Sequence, residues 1–577
     1  MKAAKIARRL PTTTTAAVAT PPAPGLRFWH YALAALAAVF VVFTVYGPAL
    51  SGPFFLDDTY LPYAMAIYED QPFSKWMEGV RPVLMLSYWL NFQQSAQETF
   101  SYHVINVLLH LLNGALVFLI VRKALDWERT VKPEREILAA FAAGLFLLHP
   151  LQTESVSYIA SRSEGLSVFF FLAAFAVFIY RRSVSASWSI AAMVLALFGV
   201  ACLTKEHAAV LPGLLLLTDY YWNPGFSLEG IKRNWKIYLP VLAGGAAAVV
   251  FVLRVLRAST SAGFALKDFT WFQYFFTQCR AIWHYLLFFV LPVGQNIDHD
   301  FPPSMTILHH GALLGLLGLV LLIGAAWYYR RRSPLISYGV FTFLLLLAPT
   351  SSFIPIRDTL VERRMYLPFI GFLFVTVGLL RYWKTSRTVL VTTLVAVLCV
   401  EGVLTYNRNR LWGNAADMWA DSVAKSPKKY RPQFQLAYAD YLANRCPEAV
   451  TGFSKAAEIQ KPDYGLLVDW ALASDCAGNS ADALVKLRQA AALNGSAHVY
   501  SQIGMEYAKL AQYPQALDAL DQAVKLDPNF GMTYVYRGHI FALQGNKPRA
   551  ATEYQKALEI DPHNQAARDA MVRLSGR

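Results

Sequence analysis

Two adjacent carboxylates, Asp57 and Asp58, stand in Gly52-Pro-Phe-Phe-Leu-Asp-Asp-Thr-Tyr60, immediately beyond the first long apolar segment of the chain. Ionised side chains are costly to hold near lipid, so such a pair marks a functional site more readily than an idle pair of solvated loop acids. Further acids and bases recur at the ends of other apolar segments: His149 and Glu154, Arg162 and Glu164, Lys205-Glu206-His207, Asp298-His299-Asp300, and Glu362-Arg363-Arg364. Taken singly, each reads as a snorkelling or paired interfacial charge. Taken together, with acids and bases mixed, they predict an outward-facing polar cavity.

A cavity of this kind suits one chemistry. A carboxylate takes the proton of an acceptor hydroxyl while an anomeric carbon becomes oxocarbenium-like. The departing group is a phosphate monoester, which leaves without a general acid when cations stabilise its charge. That is sugar transfer on the extracytoplasmic side from a polyprenyl phosphate, whose lipid tail stays in the bilayer. One aspartate and a few cations suffice, so no cofactor beyond the lipid-linked donor is required. Asp298-His299-Asp300 has the Asp-x-Asp form that a divalent ion would accept, and equally that of a polar turn; no residue is assigned as a metal ligand.

These groups must be held by membrane helices. The 577 residues are only 16% charged and 55% hydrophobic, with a mean hydropathy of +0.34, too apolar for a soluble protein of this length. Apolar runs of helix-spanning length fall near 29–50, 102–121, 137–154, 164–180, 187–204, 207–222, 236–253, 311–329, 334–351, 366–382 and 388–406. The net charge of +14 does not point to nucleic acid. Its Lys and Arg cluster in short connections such as Arg122-Lys123, Arg181-Arg182, Lys232-Arg233, Arg330 to Arg332 and Arg381 to Arg387, which assigns those connections to the cytoplasm. Eleven crossings from a cytoplasmic N-terminus then place the C-terminal part outside. Segment 271–292 is read as re-entrant or interfacial, because a further crossing would invert Arg330 to Arg332. Residues 1–28 read as a disordered basic cytoplasmic leader, followed by an uncleaved anchor.

Seven strings resemble, in the same order, the transmembrane-and-tetratricopeptide protein O-mannosyltransferases. They are Phe54-Phe-Leu-Asp-Asp58, Arg81-Pro-Val-Leu-Met-Leu-Ser-Tyr-Trp-Leu-Asn91, Tyr102-His-Val-Ile-Asn-Val-Leu-Leu-His110, His149-Pro-Leu-Gln-Thr-Glu-Ser-Val156, Thr204-Lys-Glu206, Glu362-Arg-Arg-Met-Tyr-Leu-Pro368 and Asn407-Arg-Asn-Arg-Leu-Trp412. The resemblance implies an all-α, polytopic GT-C glycosyltransferase domain over 29–406, inversion at the anomeric carbon and a protein acceptor. It implies that the first acid of the pair, Asp57, is the catalytic one, although spacing and composition leave Asp58 open. It places Arg81, Lys205 and Arg363 at the donor phosphate, with Arg364 beside them; the polar-cavity reading puts His149, Glu154, Arg162, Glu164, Glu206, His207 and Glu362 around them in support. The leader has a bacterial look, so mannose is not carried over. The expected setting is a bacterial inner membrane, and the expected acceptor is a pilin or another envelope protein.

After a linker and leading helix at 407–429, small residues recur with a period of 33 to 34: Ala437, Ala471, Gly504 and Gly538; Ala449, Ala483, Ala516 and Ala550; Ala456, Ala490, Ala523 and Ala557. This is the tetratricopeptide pattern. It predicts repeats at 430–463, 464–496, 497–530 and 531–564, a C-terminal capping helix, and a superhelix that binds extended peptide or a partner helix. Cys446 and Cys476 lie near helix turns of consecutive repeats, where an oxidising compartment would permit a disulfide. Two other readings remain at this stage: a transferase acting on a lipid or lipopolysaccharide, and a non-catalytic scaffold that binds envelope proteins through its repeats.

Overall fold

The computed structural model describes residues 28–181, 183–245 and 262–574. The expected leader up to residue 27 and residues 246–253 of one expected span lie outside the described residues. Among the described residues the chain is all-α, with one isolated bridge between Ala262 and Ile356.

The membrane part is built from α1 (Phe28–Tyr46), α2 (Pro82–Ser95), α3 (Thr99–Trp127), α4 (Lys132–Leu148), α5 (Arg162–Ile179), α6 (Trp188–Thr204), α7 (Leu211–Trp222), α8 (Trp271–Val290), α9 (Ala312–Tyr329), α10 (Pro334–Leu347), α11 (Phe369–Leu380) and α12 (Arg387–Trp412). Among the described residues, five helices are long and apolar enough to cross a membrane: Phe28–Ala49, Thr99–Trp127, Ile159–Ile179, His309–Tyr329 and Arg387–Trp412. A sixth crossing results if Lys132–Leu148 and Pro150–Ser157, bent by 52°, form one span. The eleven expected crossings therefore do not map onto eleven full-length helices. Proline explains part of the shortfall, because it lacks the N–H that a continuing helix needs. Pro150 ends α4 at Leu148. The expected span at 207–222 opens on a 3-10 turn, Glu206–Val210, and Pro212 starts a helix of only 12 residues.

The segment expected to be re-entrant or interfacial is the unbroken 20-residue helix α8, opened by a reciprocal cap between Thr270 and Gln273, so it does not loop back on itself. Cys279, Ala281, Ile282, Tyr285 and Phe288 belong to the main core. Gly315 of α9 lets the two helices touch, since a Cβ there would lie 2.3 Å from the Cys279 carbonyl oxygen.

Helix α3, 29 residues long, spans about 43 Å at 1.5 Å per residue and defines two ends. At one end Tyr102 and Asn106 face the segment that follows Tyr158. At the other, Arg122 pairs with Glu136 at 2.8 Å, Arg135 with Asp126 at 2.7 Å, and Arg381 with Glu128 at 2.7 Å.

Helix α12 continues past the apolar run to Trp412, and α13 (Ala415–Lys425) leads into α14 (Tyr430–Leu442), the first helix of the repeats. Four antiparallel helix pairs follow from Tyr430 to Ile560, then a last helix, Gln565–Leu574. The periodic alanines are buried at the pair contacts. A Cβ on Gly504 would come within 2.6 Å of Leu520, and one on Gly538 within 2.4 Å of Tyr554. Cys446 and Cys476 are joined in a disulfide with Cα atoms 5.7 Å apart.

Candidate active site

The acidic pair leaves α1 through a short irregular stretch. Leu56 has a left-handed backbone with φ of 44°, which costs a non-glycine residue about 1–2 kcal/mol, and the turn sends the next two side chains in opposite directions. Asp58 goes inward and is fully buried. Its Oδ1 accepts from the Tyr63 hydroxyl and from Ala160 N, both at 2.7 Å, and its Oδ2 accepts from Phe55 N at 2.9 Å. Burial pushes this carboxyl up to about 7, against the opposing pull of the three donors. Asp57 goes outward and is exposed. Its backbone N–H donates to the Tyr158 hydroxyl at 2.8 Å, and among the described residues its carboxylate accepts no hydrogen bond. The structure thus separates two acids that the sequence left equivalent.

Asp57 lines a small cleft with Leu56, Ile297, Asp298, Asp358, Leu360, Val361, Arg363 and Arg431. Arg363 enters from a 3-10 turn, Glu362–Met365. Its Nη1 donates to Glu154 at 2.5 Å, its backbone N donates to the same carboxylate at 2.9 Å, and its guanidinium lies 5.7 Å from the Tyr158 ring centre. Burial opposes its charge, but Glu154, Tyr158 and Asp57 together hold its pKa above the ordinary arginine value.

Two of the other expected phosphate ligands, Arg81 and Lys205, form a neighbouring cluster. Arg81, at the start of α2, forks onto Glu206 at 3.0 and 2.9 Å. Lys205 bonds Glu164 and reaches Ser163 at 3.3 Å, while His207 lies 3.5 Å from Glu164. Lys205 also feels the Arg363 charge. Every one of these cations has a carboxylate partner, so the site is not a bare cationic pocket. Arg363 still keeps guanidinium N–H donors beyond the one bound to Glu154, because the group carries five.

Several expected site residues face elsewhere. Arg162 is buried and bonds Asn91 at 2.7 Å, Asn106 at 3.0 Å, and the carbonyls of Ser87 and Tyr102, fastening α2 to α3. His149 is buried against the Phe289 carbonyl at 3.0 Å and accepts from Leu151 N. Arg364 bonds the Tyr274 hydroxyl and the Asp358 carbonyl at 3.2 and 2.6 Å, bracing the cleft wall from behind. Glu362 accepts from Gln295, Asn296 N and His299 at 2.8, 2.6 and 2.8 Å, which fixes the loop carrying Asp298. Asp298 pairs with Lys429 and, at 3.3 Å, with Arg431. Tyr158, Asp358, Lys429 and Arg431 were not anticipated. The basic run Lys428-Lys429-Tyr430-Arg431 at the mouth of the repeats was the available signal for the last two.

Residues 497–530 match the family described as Tetratricopeptide repeat. "Protein O-mannosyl-transferase TMTC3" of Homo sapiens is 23% identical over 548 residues, covering 84% of this chain and 58% of the relative. Its Mus musculus counterpart is 24% identical over 544 residues with the same coverage. "Protein O-mannosyl-transferase F38B6.6" of Caenorhabditis elegans is 23% identical over 375 residues, covering 62% of this chain and 50% of the relative. The chain thus spans just over half the length of the first two relatives and half that of the third. Among solved structures, a thermophilic tetratricopeptide protein of Thermus thermophilus aligns with 30% of this chain and 93% of its own at 20% identity, with a TM-score of 0.25, too low to support any argument. The chain is thus similar over most of its length to proteins named protein O-mannosyl-transferases, and it carries a tetratricopeptide repeat of its own at 497–530.

Proposed function

We propose that the chain is an inverting glycosyltransferase that moves a sugar from a polyprenyl-phosphate donor to Ser or Thr hydroxyls of an extracytoplasmic envelope protein. The observation that carries this reading is the unbonded, exposed carboxylate of Asp57 in a cleft shared with Arg363. The acceptor hydroxyl gives its proton to Asp57 as its oxygen bonds the anomeric carbon from the face opposite the phosphate. The bond from that carbon to the phosphate oxygen breaks, and its electron pair leaves with the polyprenyl phosphate. Arg363 receives part of that charge through its spare N–H donors, supported by the Arg81 and Lys205 cluster. Asp58 holds the Asp57 turn in place and takes no proton from the acceptor. The repeats recruit the acceptor. Their disulfide supports an oxidising compartment for this part of the chain.

The test is a comparison of the glycosylation state of envelope proteins with and without this chain, joined to transfer by the purified protein from a radiolabelled polyprenyl-phosphate sugar. Loss of glycosylated species and label on Ser or Thr are the expected results. Label appearing on lipid or lipopolysaccharide would replace this reading with a lipid-modifying transferase, and no transfer in either assay would leave the scaffold.

A further inference from the structure

The wall of the cleft opposite Asp57 is not made by the membrane part alone. The loop between α8 and α9 lies on residues 422–431, and a dense set of bonds joins them. Asn296 donates to Ser426 at 2.8 Å and accepts from Ser422 at 2.6 Å, Lys425 reaches the Gln295 carbonyl at 2.7 Å, and Lys429 bonds Asp298. Beneath these contacts, Phe55 and Tyr158 of the Asp57 region, Ile297 of the loop, Trp412, Met418 and Trp419 of the connection, and Ala439 of the first repeat share one hydrophobic cluster. The first repeat is therefore docked on the site, and Arg431 of α14 enters the cleft itself.

Arg431 is held by two carboxylates, through Nε to Asp298 at 3.3 Å and through Nη2 to Asp358 at 2.8 Å. Asp298 is nearly buried, but the Arg431 side chain is 35% exposed, and among the described residues its Nη1 donors are unbonded. Two adjacent acids make this a poor place for a phosphate, since Asp298 and Asp358 would repel it. A neutral oxygen acceptor has no such conflict. On the glycosyltransferase reading the acceptor is a polypeptide bearing a hydroxyl residue, and its backbone carbonyls are neutral acceptors that favour a charged donor.

We propose that Arg431 is an acceptor-binding residue: its free guanidinium edge binds a backbone carbonyl beside the modified Ser or Thr and so registers the hydroxyl against Asp57. The inference rests on the glycosyltransferase reading and deepens it, by making the first repeat part of the acceptor site as well as a recruiter.

The experiment uses the full chain, a short Ser/Thr peptide and a polyprenyl-phosphate sugar, with Asp57→Asn, Arg431→Lys, Arg431→Gln and Lys429→Ala compared with wild type. Arg431→Gln should raise the acceptor KM about tenfold, as expected for the loss of a charged hydrogen bond, with a much smaller change in kcat. Arg431→Lys keeps the charge without the fork and should recover part of the loss. Lys429→Ala loosens the docking but keeps the guanidinium edge, and should raise acceptor KM clearly less than Arg431→Gln does. If Arg431→Gln does not fold, Arg431→Lys carries the test, with a KM rise of about threefold expected. An acceptor KM unchanged in both Arg431 variants while Asp57→Asn is inactive overturns this inference alone. A KM rise in Lys429→Ala equal to that in Arg431→Gln assigns the effect to docking and overturns it as well. Full transfer by Asp57→Asn overturns the underlying reading, and this inference with it.

Discussion

The two ends of the membrane part use the same kinds of side chain to opposite effect. At the basic end Asp219 is 1% exposed and fully engaged: Arg181 and Asn223 donate to one oxygen at 2.9 and 3.0 Å, and Asn234 and Tyr238 to the other at 2.7 Å each. At the cleft end Asp58 is treated in the same way, yet its neighbour Asp57 is exposed with a free carboxylate. An acid whose lone pairs are all filled and which is sealed from water has become part of the scaffold. The acid whose oxygens are open to an incoming hydroxyl is the one that the fold positions through its backbone alone.

The most direct way to break this contrast is to neutralise one acid at each end. Asp57→Asn should reduce sugar transfer by about 10²-fold or more, the loss expected when a base acting in the transition state is removed, with no change in the thermal unfolding midpoint. Asp219→Asn should do the reverse, costing about 1–3 kcal/mol by turning an acceptor toward donors while turnover per folded molecule stays at wild type. Wild-type turnover in Asp57→Asn would show that the exposed acid is idle.

Next in size are the cations. Alanine at Arg81, Lys205 or Arg363 should weaken use of the lipid-linked donor about tenfold, as loss of a charged hydrogen bond implies, and more than it weakens acceptor binding. Titrating donor and acceptor separately checks this, and unchanged donor affinity and rate in all three variants would exclude the phosphate site.

A smaller effect should follow from deleting residues 497–577, which leaves the docked first repeat and the Cys446–Cys476 disulfide in place. Modification of the natural protein acceptor should fall severalfold, with little loss for a short peptide in excess, because tethering acts through effective concentration. Equal rates on both acceptors would remove the recruiting role from the last two repeats.

The last prediction concerns the pH dependence that Asp58 imposes on stability. Its folded pKa, near 7, lies above the ordinary carboxylate value, so the folded state binds more protons than the unfolded one between about pH 4 and pH 7. The contribution of this group to stability is therefore complete below about pH 4 and is lost as pH rises through 7. Denaturation midpoints of wild type and Asp58→Asn across that window should show a falling component in the wild type only; parallel curves would count against a titrating Asp58.

The repeat architecture was legible because its signal is local and steric. Ala437, Ala449 and Ala456 recur in phase because each sits where two helices touch, and no larger residue fits at 0% exposure. Part of the motif strings has a related reason: Asn91, Tyr102 and Asn106, from two of them, meet in one buried network around Arg162. What could not be read depends on contacts across the fold. Asp57 and Asp58 differ through the Leu56 turn and through contacts with Phe55, Tyr63, Tyr158 and Ala160, none of which composition reveals. Helix lengths departed from the apolar runs where Pro150 and Pro212 intervene. Arg431 looks like one more surface cation until the loop at 295–300 docks beside it.

Where α1 and α12 emerge, the chain has a seam of backbone against backbone. A Cβ on Gly52 would lie 2.4 Å from the Trp412 carbonyl oxygen, and one on Gly413 would lie 2.6 Å from that of Pro48. With no side chains between them to slip, the two exits form a stiff joint, five residues from Asp57 on one side and continuous with the solenoid on the other. The first repeat and the Asp57 turn therefore share one support, joined by close-packed backbone as well as by covalent chain.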